Sequence, residues 1–373
     1  MPLPIGRKPR DVYLILRTLL DRSGMLHGVR RLPLLVAPLA CAFLASTASA
    51  APAFRDTVLQ ADQARKLALQ ASTQWGGPTV ASDGETVKIF FSDTYPVNPA
   101  LATQWADFLT SLLHGPELAT VTIYLQPLAE VQRTCGSQAL ACYNPRTATI
   151  VAPADDVDAQ TSAKGILTHE YGHHVAANRL NPPFVSEDYG TKRWASYENV
   201  CAKTSAGDLF PGAEDLRNYM LNPGEAFAES YRVLNEQRLG LSQEAWDVVT
   251  TTLYPDATAL SLLDQDVTTP WTANTTRKLV ATLNSKTRTR TYSVSVPYDG
   301  KLTVSPRQSR SVNVGVSLLS GGSTIATTSL RRASGASLST TVCGRRAFKV
   351  RVKLTGAVTK KTKTTVTLSV STP

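Results

Sequence analysis

Seven consecutive residues, Thr168-His169-Glu170-Tyr171-Gly172-His173-His174, constrain this chain more than any other stretch. They place two histidines four positions apart, with a glutamate directly after the first. The surrounding apolar residues Ala163, Leu167, Tyr171 and Val175 recur every four positions, a period that predicts a helix. No proline interrupts Thr161 to Leu180, and Asn181-Pro182-Pro183 ends the run. Residues four apart share one helix face, about one turn above each other. The imidazoles of His169 and His173 are therefore expected to face one point, with Glu170 one step round the helix. Two imidazoles and an adjacent carboxylate in this spacing are the chemistry of a zinc site.

A catalytic zinc centre usually takes three protein ligands and a water. No histidine follows His174 in the sequence, so the third ligand is expected to be a carboxylate. Asn222-Pro223-Gly224-Glu225-Ala226-Phe227-Ala228-Glu229-Ser230 supplies it. Glu225 and Glu229 are four apart on a helix opened by Pro223-Gly224, so they share a face. Two stacked carboxylates repel unless a cation or an imidazole N–H relieves them. Glu225 is assigned to the metal. Glu229 is assigned to support, accepting a hydrogen bond from the outer nitrogen of His169 or His173. His174 is expected to point away from the metal, at the surface or behind a ligand. Glu187-Asp188 reads as a solvated loop rather than a calcium contact, and Tyr189, Trp194 and Tyr197 either line the cleft or anchor the loop.

These two motif helices resemble the gluzincin metallopeptidases, the group of thermolysin and anthrax lethal factor. The chain is similar, more closely, to secreted, uncharacterised neutral zinc metallopeptidases of actinobacteria. The resemblance covers the motif helices and, loosely, residues 85–240. It implies an α+β zincin-like catalytic domain with Zn2+ as cofactor and a peptide or protein as substrate. The first acid of the downstream helix would ligate zinc and the second would support a histidine, which matches Glu225 and Glu229. Peptide bonds would be hydrolysed by a metal-activated water, with Glu170 as general base. Thermolysin-like members use a downstream histidine to stabilise the transition state. None exists here, so a tyrosine hydroxyl would donate to the oxyanion, as in the lethal-factor type. Tyr219, just ahead of the Glu225 helix, is the first candidate; Tyr197 and Tyr231 are rivals. By analogy, Ile150 and its neighbours would form an edge strand that pairs with an extended substrate.

The rest of the chain gives this centre a setting. Arg30-Arg31, the apolar run Leu32 to Ala45, and Ala48-Ser49-Ala50 read as a secretory signal peptide over residues 1–50, with Met25 as an alternative start. A lipoprotein reading at Cys41 is weaker. The chain is thus expected outside the cell, free or associated with the cell wall, with no membrane span after signal removal. There disulfides persist. Cys135 and Cys142, close in sequence, are paired; Cys201 with Cys343 follows by elimination. Residues 51–270 form the expected peptidase domain. Its first lobe takes helices at 57–72 and 101–113 and strands at 86–91, 121–125 and 147–152, with the metal helix under the sheet. Residues 181–212 read as an irregular connection. The second lobe is helical, at 214–219, 224–239 and 243–253, and the cleft between lobes is the expected substrate site.

From about residue 275 the pattern becomes period two, with Thr and Ser on the polar positions, which predicts an all-β antiparallel sandwich over 271–373. This tail holds 18 Lys/Arg against one acid, Asp299, a formal charge of +17, whereas 51–270 holds 14 Lys/Arg and 26 Asp/Glu. Such a surface attracts polyanions: an anionic cell-wall polymer, an acidic polysaccharide or extracellular DNA is a candidate partner, and the sparse aromatics weigh against specific nucleic acid. A sandwich that only spaces or stabilises the enzyme is an equal reading. Two functions remain in view: a secreted zinc endopeptidase, or a catalytically silent surface or polyanion-binding protein that uses the basic sandwich. The intact Glu170 favours the first.

Overall fold

A computed structural model of the chain describes residues 74–373 except 216, 247 and 332–334. The expected leader, the alternative start at Met25, Cys41 and the helix at 57–72 lie outside the described residues. Among the described residues, no helix is long and apolar enough to cross a membrane.

The chain is mixed α+β. Its first sheet has the order β1-β2-β3-β5-β4: β1 (Gln74–Val80), β2 (Thr86–Ser92), β3 (Thr122–Gln126), β4 (Cys142–Asn144) and β5 (Thr149–Pro153). The three strands read from sequence, β2, β3 and β5, run parallel in the middle; β1 and β4 are antiparallel at the two edges. Parallel strands are covered on both faces, and Ile89, Phe91, Ile123, Leu125 and Ile150 are fully buried. Helix α1 (Pro99–Ser111) connects β2 to β3, and α2 (Leu128–Cys135) follows β3. The expected disulfide Cys135–Cys142 is present and ties α2 to β4. That tether overturns one expectation. β4 pairs with Thr149, Ile150 and Val151 along the outer side of β5, so Ile150 lies inside the sheet and not on its edge.

The metal helix forms as α3 (Ala163–Ala177), begun by Ser162, whose hydroxyl accepts from the Gly165 N–H at 2.9 Å. Thirteen of its 15 residues are buried, so the single apolar stripe seen in the sequence understates it: α3 is a core helix, between β5 and a second long helix. The stretch 181–212, expected to be irregular, holds three short helices: α4 (Ser186–Tyr189), α5 (Lys192–Tyr197) and α6 (Val200–Ala206). Helix α7 (Pro223–Leu239) forms as expected, capped by the Asn222 side chain, which accepts from Gly224 N at 3.0 Å. The helices expected at 214–219 and 243–253 do not form; single 3-10 turns stand at Tyr219–Leu221 and Thr251–Leu253. In the first, the Asp215 carboxylate accepts from the N–H groups of Arg217 and Asn218, both at 3.1 Å, which competes with helix. In the second, Glu244 is drawn to the start of α3, accepting from the Ser162 N–H at 3.0 Å. The helix of that region is α8 (Ala257–Thr268), capped by Asp256.

Residues 271–373 form the expected sandwich of two antiparallel sheets, ordered β10-β9-β12-β7 and β11-β8-β13-β6. The strands are β6 (Thr275–Asn284), β7 (Thr289–Ser295), β8 (Gly300–Gln308), β9 (Val314–Ser320), β10 (Ser323–Leu330), β11 (Leu338–Val342), β12 (Ala347–Leu354) and β13 (Lys363–Thr372). Val304, Val316, Val350, Val352, Leu368 and their neighbours make one core between the sheets. The second disulfide, Cys201–Cys343, joins α6 to the sandwich. Beside it, Lys192 Nζ donates to the carbonyls of Pro182 (2.9 Å) and Asp299 (3.0 Å). Asp299, the tail's single acid, pairs with Arg346, whose guanidinium also donates to the Ser196 carbonyl at 2.9 Å.

Candidate metal centre

Two helices bring the centre together, and a glycine sets how closely. A Cβ on Gly172 would lie 2.9 Å from the Ala228 Cα, which real Cβ atoms do not tolerate. Glycine there lets α3 lie almost directly against α7. The helices run so that His173 meets Glu225 and His169 meets both Glu225 and Glu229.

His169 Nε2 and His173 Nε2 are 3.2 Å apart, and they lie 3.3 and 3.4 Å from one oxygen, Glu225 Oε2. All three side chains are buried, and their candidate ligand atoms fall within 4.8 Å of one another. The Tyr219 hydroxyl donates to the same Glu225 oxygen at 3.0 Å. On the far side of His169, Nδ1 is 2.8 Å from Glu229 Oε1. Burial pushes the Glu229 carboxyl up, but the Arg232 charge and the His169 hydrogen bond outweigh it and hold it at about 2. An ionised Glu229 only accepts, so Nδ1 must carry the proton. In the neutral tautomer that this hydrogen bond selects, Nε2 presents its lone pair toward the Glu225 carboxylate and the second imidazole. Electron-rich atoms facing each other this closely fit a divalent cation held among His169, His173 and Glu225. Glu170 is buried on the same turn of α3, about 100° round from His169.

The support continues further than the spacing of Glu225 and Glu229 indicated. Arg232 donates to both Glu229 oxygens, at 3.1 and 2.5 Å, and to Glu236 Oε1 at 2.5 Å. Glu229, Arg232 and Glu236 are all buried. Their separations of three and four residues are the helix-neighbour spacings, so this run was open to the same test that found Glu225. Asn222 adds a weaker contact, its amide 3.5 Å from Glu225 Oε1.

Other expected residues fall elsewhere. The Tyr197 hydroxyl donates to Asp256 at 2.6 Å, and the Tyr231 hydroxyl donates to the Leu113 carbonyl at 2.6 Å, which leaves Tyr219 as the tyrosine at the ligand cluster. His174 points away from the cluster as expected but is not at the surface. It is fully buried, 3.0 Å from the Tyr143 hydroxyl and 3.0 Å from the Glu117 carbonyl, and burial pushes its pKa down. Trp194 is buried edge-on against Phe227 and anchors its loop. Asp188 is half-buried rather than solvated, and burial raises its carboxyl.

A cleft of about 770 Å3 opens along the first half of α3, lined by Trp105, Asp156, Lys164, Thr168, Glu236 and Glu244 among others. It lies beside the ligand cluster rather than over it. Thr168, the neighbour of His169, and Glu236, the last member of the charged run, are where it approaches.

Comparison with protein-family models gives no match, and comparison with curated proteins gives none. Solved structures similar to part of the chain include the pre-peptidase C-terminal domain of a collagenase from Bacillus anthracis, at 17% identity over 26% of this chain and 89% of that one, TM-score 0.21. A periplasmic inhibitor of g-type lysozyme from Aeromonas hydrophila is 13% identical over 26% of this chain and 86% of that one, TM-score 0.21. A carbohydrate-binding module seen with calcium and xylotriose is 13% identical over the same shares, 26% and 86%, TM-score 0.18. Likenesses at this level carry no argument about fold or function, and none bears on the gluzincin resemblance.

Proposed function

We propose that this chain is a secreted zinc-dependent endopeptidase of the gluzincin kind. The observation that carries the reading is the meeting of His169, His173 and Glu225 from two helices, with the Tyr219 hydroxyl on the same carboxylate oxygen. His169, His173 and Glu225 would hold the ion, which when bound supplies Lewis acidity toward a carbonyl oxygen and a water. Glu229 fixes the His169 tautomer and turns its Nε2 lone pair to the centre. Glu170 takes a proton from water and returns it to the departing amine. The Tyr219 hydroxyl, already aimed at the centre, donates to the oxygen on which charge develops. Two disulfides fit an extracellular protein.

The second reading, a catalytically silent polyanion-binding protein, is favoured by the charge of the tail. One experiment separates the two. Metal content and digestion of a mixed peptide library are measured for wild type, Glu170→Gln and His173→Ala. The peptidase reading expects Glu170→Gln to keep its metal and lose turnover by at least 10²–10⁴-fold, roughly the worth of a general base. His173→Ala should lose both. Wild type that binds zinc and cleaves neither casein nor any library peptide sinks the peptidase reading.

A further inference from the structure

The tail's exposed cations are arranged differently on its two sheets. Strand β12 lies inside the sheet β10-β9-β12-β7. Along it Phe348, Val350, Val352 and Leu354 are buried, and Lys349, Arg351 and Lys353 are exposed. Outward residues on one strand are spaced by roughly 6.6 Å, so these three cations form a straight row roughly 13 Å long. The register sets Ser293, Thr291 and Thr289 of β7 along one side of the row. Leu319, Ser317 and Gly315 of β9 lie along the other, with Thr324, Thr327 and Ser329 of β10 beyond them. Apart from Leu319, which is itself buried, the flanks are hydroxyls and a glycine. Among the described residues no acid lies within ion-pairing distance of the three cations, because the tail's single carboxylate, Asp299, is buried at the junction with α5. No aromatic ring stands on this face either. Tyr292 takes an inward register position opposite Val350, and its hydroxyl donates to the Val280 carbonyl at 2.6 Å.

We infer that this face docks a linear acidic polysaccharide lying along β12. A straight row of this length can meet several acidic groups of such a chain at once, and the Ser and Thr columns beside it can reach the chain's hydroxyls. Nucleic acid fits less well, because single strands draw on base stacking against aromatic side chains, and this face has none. Each exposed contact is screened and individually weak. Binding therefore comes from several contacts at once and falls steeply with salt. Polysaccharide docking here is independent of hydrolysis at the metal centre.

The other sheet supplies the control. Its exposed cations are scattered over three strands, Arg277 and Lys278 on β6, Lys301 and Arg307 at opposite ends of β8, and Lys363 on β13, and none of these strands carries three at successive outward positions. The full chain is titrated with polygalacturonate and, separately, with duplex DNA, at low and at physiological salt. Thermal melting confirms that each variant folds. K349S/R351S/K353S is expected to weaken polygalacturonate binding at least ten-fold, and K278S/R307S/K363S less than three-fold. Equal losses in the two triple variants would mean that net charge alone is read, and the inference fails. It fails also if wild type does not bind polygalacturonate, or binds duplex DNA as tightly.

Discussion

At the seam between α3 and α7, Glu225, Glu229, Arg232 and Glu236 are all buried, and a chain of short hydrogen bonds runs from His169 through Glu229 and Arg232 to Glu236. On β12, Lys349, Arg351 and Lys353 stand in solvent with no acid beside them. Both regions concentrate charge of one sign along one line, carboxylates in the first and cations in the second. They differ in what answers it. Burial makes an unanswered charge expensive, so the seam had to gather its partners from within the fold. Exposure makes an unanswered charge cheap, so the sandwich can leave its row open to a partner. Charge thus holds the geometry of the lobe together and contributes little to the stability of the tail.

The sharpest way to break that contrast is at Arg232. Arg232→Met leaves Glu229 and Glu236 buried without their shared cation, and chemical denaturation should show a loss of about 3–5 kcal/mol. A loss no larger than that of a surface change would show that the run is not what holds the seam. Gly172→Ala comes next. Its Cβ has no room against Ala228, so the helices must part, at about 1–3 kcal/mol, and metal binding at His169, His173 and Glu225 should fall in parallel. Unchanged metal content in the folded variant would separate helix spacing from ligand geometry.

The junction offers a smaller, pH-dependent effect. Burial pushes the Lys192 ammonium down to about 8, with the Asp299 and Asp266 charges opposing. From about pH 8 up to the ordinary lysine value of 10.5, the unfolded chain binds this proton and the folded chain does not. Stability from this group therefore rises with pH in that window, by at most about 1.4 kcal/mol per pH unit, and is flat below it. Denaturation of wild type and Lys192→Met across that range should show the rise only in wild type. The smallest effect belongs to the tail: Arg351→Ser should change stability by no more than about 0.5 kcal/mol, and a larger cost would mean that the row is also structural.

The two regions were also unequally legible. The sandwich strands follow from alternation alone, since each residue's face depends only on its own position along the strand. The ligand cluster was legible because its members lie three and four residues apart on two helices, and the spacing fixes the face. What escaped was held by partners distant in sequence. The Arg179 guanidinium pairs with Glu117 across 62 residues, and Asp266 accepts from the Arg193 and Trp194 N–H groups to start α5. Lys192 reaches the Asp299 carbonyl across 107 residues. No local pattern marks such contacts. The helix expected at 243–253 failed for the same reason, as Glu244 joined the start of α3 82 residues away. The one expected at 214–219 failed locally, as Asp215 turned its carboxylate to the N–H groups of Arg217 and Asn218. Ile150 was placed on an edge because β4, three residues long and anchored by a disulfide, is too short to announce itself.

The link between Cys201 and Cys343 bears on how the molecule ages. A single backbone cut anywhere between those two residues would leave both fragments on one covalent body. Such nicked protein would migrate intact on a non-reducing gel and separate into two bands once the sulfurs were reduced, so wear in the linker need not cost the lobe its basic companion.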